Sequence, residues 1–140
     1  MAFGGMNYLA ILVAAVAAFA FGAVWYMSLS KPWLAALGKT PQEIKSMTGQ
    51  RPMTPFIVSA ISLVVMAWVI AGLMGHLGVG QVTVKNGIIS GAFVWLGIAL
   101  TVLNVTQRFE GQTWQLTFID AGHWLGVLVI IGAVIGAFGV

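Results

Sequence analysis

Two side chains in the last third of this chain can move protons or hold polar ligands: Asp120 and His123, in the stretch TFIDAGHWLGVLVIIG at residues 117–132. A carboxylate and an imidazole three residues apart share one face of a helix. Placed so, they can pair with each other, pass a proton or anchor a small polar molecule. The apolar run that follows sharpens the question, because a carboxylate carried into lipid costs about 2.5–3.5 kcal/mol on insertion scales and needs a partner or a proton there.

Composition says that lipid is the solvent. Of 140 residues, 60% are hydrophobic and 6% charged, well outside the range of a water-soluble domain. Six Lys/Arg against three acids, a net charge of +3, are too few and too dispersed for the basic patch of a nucleic-acid binder. The absence of cysteine excludes disulfides, thiolate metal sites and cysteine nucleophiles. The opening MAFGGMNY has no basic region and no small-residue cleavage pattern behind it, so the first apolar run is expected to be a retained span and not a signal peptide.

A helix needs about 20 apolar residues to cross the ~30 Å hydrocarbon core, and four windows qualify: Met6–Leu29, Thr54–Leu77, Lys85–Gln107 and Trp114–Phe138. Backbone polar groups in lipid must be satisfied within the segment. The chain is therefore predicted to be all-α, an integral membrane bundle of four transmembrane helices forming one transmembrane domain over residues 1–140. Trp25, Tyr26 and Trp33 after the first span and Trp114 at the start of the fourth suit the interface, whereas Trp68, Trp95 and Trp124 lie deeper and read as packing residues. Lys31, Lys39, Lys45 and Arg51 fall in the connection 30–53 and Arg108 in 108–113, against Lys85 alone in the second connection. That asymmetry puts 30–53 and 108–113 in the cytoplasm and both termini outside.

The first connection carries its own punctuation. SKPWLAALG offers Ser30 as an N-cap, Trp33, Leu34 and Leu37 on one face and Gly38 as a stop, which predicts a short amphipathic helix lying in the membrane surface. TPQEIKSMTG reads as a capped helix, with Thr40 as N-cap, Pro41 at the first position, Glu43 reaching back and Gly49 as terminator. A solvated loop with two turns is the plainer alternative. At the other end, Asn7, His76, Gln81, Lys85 and Asn86 are expected to solvate helix ends.

Small residues recur at four-residue spacing: Ala14, Ala18 and Gly22; Ala67, Ala71 and Gly75; Gly87 and Gly91; Gly122 and Gly126; Gly132 and Gly136. Such stripes let helices approach closely where lipid removes the hydrophobic drive. They are expected to pack the four helices together or, for Gly132 and Gly136 at least, to make a homo-oligomer contact.

Over nearly its whole length the chain resembles a family of small bacterial membrane proteins known as domain of unknown function 1761. The resemblance is carried by MNYLAILVAAVAAFAFGAVWY, KPWLAALG, GAFVWLGIAL and GQTWQLTFIDAGHWLGVLVIIGAVIGAF. The sequence departs from the family's start by reading WYMSLSKPW, without the proline usual after the Tyr-Ser pair. The resemblance implies a four-helix protein of the bacterial cytoplasmic membrane and attaches no activity to it.

At ~1.5 Å per residue, Asp120 lies roughly 9 Å and His123 roughly 13 Å into the fourth span from its cytoplasmic end. Thr101, Asn104 and Arg108 descend the third span at three- and four-residue steps, which sets Asn104 about level with Asp120 and Thr101 nearer His123. Ser59 and Ser62 lie at similar depth, and Tyr26 closes the inner end of the first span. The prediction is a polar cluster of Asp120, His123, Asn104 and Thr101 with Arg108 at its mouth. It is a structural knot that fixes helix register, a proton-linked site or ligand pocket, or an interface with another membrane protein.

Several chemistries are disfavoured. His76 and His123 are roughly 20 Å apart along the bundle, too far for shared haem ligation, and one His with one Asp falls short of a metal site. The first span has no acid, unlike the small multidrug antiporters of similar size. No glycine-rich phosphate loop is present. The expected protein is non-enzymatic and free of cofactors, with channel- or carrier-like function around the polar cluster, or else an accessory subunit of a larger membrane complex. Its expected partners are the lipid bilayer and either a second copy or another membrane protein, not nucleic acid.

Overall fold

The computed structural model describes residues 6–49 and 51–139, and every regular element among them is helical. In chain order these are α1 (Tyr8–Ser28), α2 (Ser30–Leu37), α3 (Pro41–Thr48), α4 (Thr54–Gly75), α5 (Val84–Val94), a π-helical turn (Trp95–Ala99), α6 (Leu100–Phe109) and α7 (Trp114–Phe138). The π turn joins α5 to α6 in one continuous span, Val84–Phe109. With α1, α4 and α7 this gives four helices long and apolar enough to cross a membrane. The first and second are shorter than the sequence windows, and the third runs longer at both ends.

Local chemistry fixes the ends. Asn7 caps α1 by accepting from the Ala10 amide at 3.1 Å, and Thr83 and Thr113 do the same for the amides of Asn86 and Leu116 at 3.2 Å. Thr40 caps α3 as expected, but Glu43 does not reach back to its amide; its carboxylate accepts from the Thr40 hydroxyl instead. Gly38 ends α2 at φ +69°, a left-handed conformation that glycine adopts without penalty. Ser30 is the first residue of α2, not its cap, because Leu29 alone separates α1 from α2.

The apolar face expected of α2 is turned onto the bundle. Its apolar residues Trp33, Ala36 and Leu37 form a small core with Tyr26, Leu29, Leu116 and Ile119, and the Thr113 hydroxyl donates to the Ala36 carbonyl at 3.0 Å. This helix closes one end of the bundle.

α7 is the central helix, packed against α1, α5, α6, α2 and α4, while α4 rests chiefly on α1. The α1–α4 seam is built from small residues, Ala14, Ala18, Ala67 and Ala71, each at most 1% exposed. Ile11, Ile70, Met74, Ile131 and Ile135 fill the core beyond it. Between α5 and α7 the approach is backbone to backbone: a methyl on Gly87 would run into the Gly132 carbonyl, one on Gly91 into that of Leu128, and one on Gly136 into that of Thr83. The Gly132/Gly136 stripe, expected as a possible contact between copies, is thus occupied within the chain. Gly122 and Gly126 make room for the rings of Trp25 and Phe21, and Gly22 for His123.

Gly132→Val is expected to lower stability by about 1–3 kcal/mol, since packed backbone must separate. Gly97→Ala, whose new methyl meets nothing within 4 Å, should stay within about 1 kcal/mol of wild type. Thermal or denaturant unfolding of the purified protein compares the two.

Candidate functional site

Asp120 stands in the second turn of α7, half-buried, and both its oxygens are taken by neutral donors. The Tyr26 hydroxyl donates to Oδ1 at 2.7 Å and the Gln107 Nε2 to Oδ2 at 2.9 Å. The Gln107 Oε1 accepts from the Thr117 hydroxyl, which itself accepts from Arg108 Nη2 at 2.7 Å. One directed chain of donors thus runs from Arg108 through Thr117 and Gln107 into Asp120. A neutral amide and hydroxyl can each give and take one bond in this way. The same Nη2 also lies against the carbonyls of Gln112 and Thr113, Nη1 is buried without a hydrogen-bond partner, and the guanidinium lies over the face of Trp114, 3.7 Å from the ring centre.

The backbone on either side of Asp120 is held as well. The Trp25 indole donates to the Ile119 carbonyl at 3.0 Å and the Trp95 indole to the Ala121 carbonyl at 2.8 Å. A carbonyl already used in a helix keeps a second lone pair for such a donor. Trp25 and Trp95 are therefore anchors between helices.

His123, one turn further along α7, is differently placed. It is 9% exposed, yet its Nδ1 is buried without a hydrogen-bond partner. Its ring lies among aromatic rings, with centroids 4.6 Å from Trp124, 4.8 Å from Tyr26 and 6.3 Å from Phe21. A Cβ on Gly22 would sit 2.8 Å from its Nε2, so this glycine makes the room the imidazole occupies. His123 also lines a cavity of about 680 Å³ between α1, the start of α2, α4 and α7, whose wall includes Phe19, Tyr26, Ser59 and Trp124.

The cluster read from the sequence is accordingly rearranged. Asp120 and His123 share a face without a mutual hydrogen bond. Thr101 does not join them: it is exposed, and its hydroxyl donates back to the Gly97 and Ile98 carbonyls of its own helix. Asn104 faces inward, but its Oδ1 is buried and unpaired instead of meeting Asp120. Arg108 reaches the carboxylate only through the relay. Gln107 and Thr117 were not picked out, and Tyr26 only as a closing residue.

The π turn accounts for the missed glutamine. The inward positions of the third span step by four, from Gly87 and Gly91 through Trp95 and Ala99 to Leu103 and Gln107, none of them exposed. A four-residue stripe drifts around a helix of 3.6 residues per turn; the wider π turn, with the Leu100 amide bonded to the Trp95 carbonyl, brings it back toward α7. Extrapolating at α-helical spacing selects Thr101 instead. Following the four-residue steps of glycine and tryptophan would have found Gln107.

A family model described as "Protein of unknown function (DUF1761)" matches residues 9–136, nearly the whole chain. No curated protein and no solved structure matches.

Tyr26→Phe is expected to destabilise the fold by about 1–3 kcal/mol, because it strips a buried carboxylate oxygen of its donor. Combined with Asp120→Leu, it should cost clearly less than the sum of the two single changes. Thr101→Val should lie within about 0.5 kcal/mol of wild type. A double-mutant cycle by reversible unfolding measures all three, and additive losses would dissolve the proposed link.

Proposed function

The chain belongs to the DUF1761 family, and from its site we propose that it is a membrane-embedded binding protein, carrier-like and non-catalytic, which holds a small, mostly apolar molecule against His123. The observation that carries this reading is the contrast between two neighbours on α7. Asp120 has a donor on each oxygen, whereas His123, in the wall of a cavity of about 680 Å³, has its Nδ1 sealed in the protein and its Nε2 beside Gly22, which shares that wall, with no hydrogen-bond partner. A ring nitrogen without a partner at the edge of a cavity invites a ligand group. The volume suits the role, since small-molecule sites run from about 300 to 1,000 Å³ and are mostly apolar with a few placed polar groups.

The carboxylate network belongs to the architecture in this reading. It ties three helices at one level and leaves both oxygens of Asp120 occupied. The bundle beyond the cavity is filled by Ile70, Met74 and Ile131, at most 1% exposed, which favours a closed-ended binding site over an open pore. The four apolar helices and the basic residues Lys31, Lys39, Lys45, Arg51 and Arg108 at one end of the bundle support insertion in the bacterial cytoplasmic membrane with that end inside. The cavity then opens in the inner half of the bilayer.

Ala23 is exposed and lines the cavity, so Ala23→Phe should fill the site while sparing the fold. Wild-type protein titrated with a total membrane lipid extract is expected to gain thermal stability, by about 2.7 kcal/mol at a hundredfold excess over Kd, and Ala23→Phe to gain none. Equal stabilisation of both proteins would remove the cavity from consideration.

A further inference from the structure

Given that reading of the cavity as a binding site, we infer the class of its occupant: an uncharged head-and-tail molecule, of the long-chain alcohol or ketone type, whose head oxygen is held at His123. The cavity is graded along the bundle. Its deep end is formed by Ala18, Phe19 and Leu63, and its middle by Tyr26, Ser59 and His123. Met27, Ser30 and Phe56 line the end nearest α2. From Ala18 to Met27 the α1 wall spans about 14 Å at helical rise, long enough to take an extended alkyl chain. All the polar groups lie in the middle or at the α2 end, and the deep end offers only hydrocarbon.

Charge selects the head. No Lys, Arg, Asp or Glu lines the cavity, and the carboxylate behind Tyr26 is already spent on two donors. An ionic head placed there would be desolvated with no counter-charge, a far larger penalty than that of a hydroxyl or carbonyl that finds one hydrogen bond. Imidazole suits a neutral oxygen of either kind: Nε2, beside the Gly22 part of the cavity wall, accepts from an alcohol in one tautomer and donates to a carbonyl in the other. The rings of Tyr26 and Trp124 that flank His123 leave an apolar frame around that single polar contact.

Trp124 is in the cavity wall and reports occupancy. Purified protein in detergent is titrated with a bromine-tagged long-chain alcohol, and with a carboxylate and a quaternary ammonium of the same length, at a pH where the carboxylate is ionised. Quenching absent from Trp124→Phe is scored. The alcohol is expected to quench saturably and both ions to bind at least tenfold more weakly. His123→Phe, which keeps the ring packing, should weaken alcohol binding about three- to tenfold, the loss of one hydrogen bond, and Ala23→Phe should abolish it. Preferred binding of either ion, or unchanged affinity in His123→Phe, overturns the neutral-head assignment and leaves the site standing. Failure of all three probes, or quenching that survives Ala23→Phe, overturns the site itself.

Discussion

One turn of α7, residues 119–121, receives a hydrogen bond from each of four side chains on the neighbouring helices: Trp25 and Tyr26 from α1, Trp95 from the π turn and Gln107 from α6. In an apolar bundle these bonds do what hydrophobic burial cannot. Apolar faces slide past one another in lipid with little penalty, because tails are as apolar as leucine. A carboxylate that loses its donors in such surroundings is penalised heavily. Asp120 therefore sets the axial register of α1 and α6 against α7. The glycine contacts between α5 and α7 set distance, and the two constraints are complementary.

The same arrangement explains why two titratable neighbours have separate fates. Three residues apart on α7, Asp120 meets Gln107 and the hydroxyl end of Tyr26, whereas His123 meets the ring of Tyr26 and the open floor of Gly22. Tyr26 is shared: its oxygen belongs to the knot and its ring to the cavity wall. The two systems are in contact, and the polar cluster expected from spacing divides into a hydrogen-bonded network around Asp120 and an aromatic setting around His123.

What could be read in advance follows from which signals are local. The four spans, the Thr40 and Gly38 ends and the inward glycines depend on composition and caps, and the fold carries them with small shifts of boundary. That Asp120 needs a partner was readable from its charge. Which partner was not, because α-helical counting gives Thr101 and Asn104 while the π turn delivers Gln107. Nor could α2 be placed, since an apolar stripe of Trp33 and Leu37 suits a membrane surface as well as the end of α7. A cavity is the absence of atoms between helices far apart in sequence, and no residue pattern encodes it.

The uneven packing of α4 also has a mechanical meaning. α1, α5 and α7 are cross-linked by indole, phenol and amide bonds and by backbone contact at glycine, whereas α4 rests mainly on the alanine seam with α1. Of the helices that wall the cavity, α1 and α7 are tied to each other by side-chain hydrogen bonds, whereas α4, carrying Phe56, Ser59 and Leu63, rests on its seam. Of these walls, α4 is the one whose tilt would widen the slot. If the cavity is the binding site proposed above, such a tilt would admit guests of different girth while the imidazole stays fixed, with selectivity exercised at the head and relaxed along the chain.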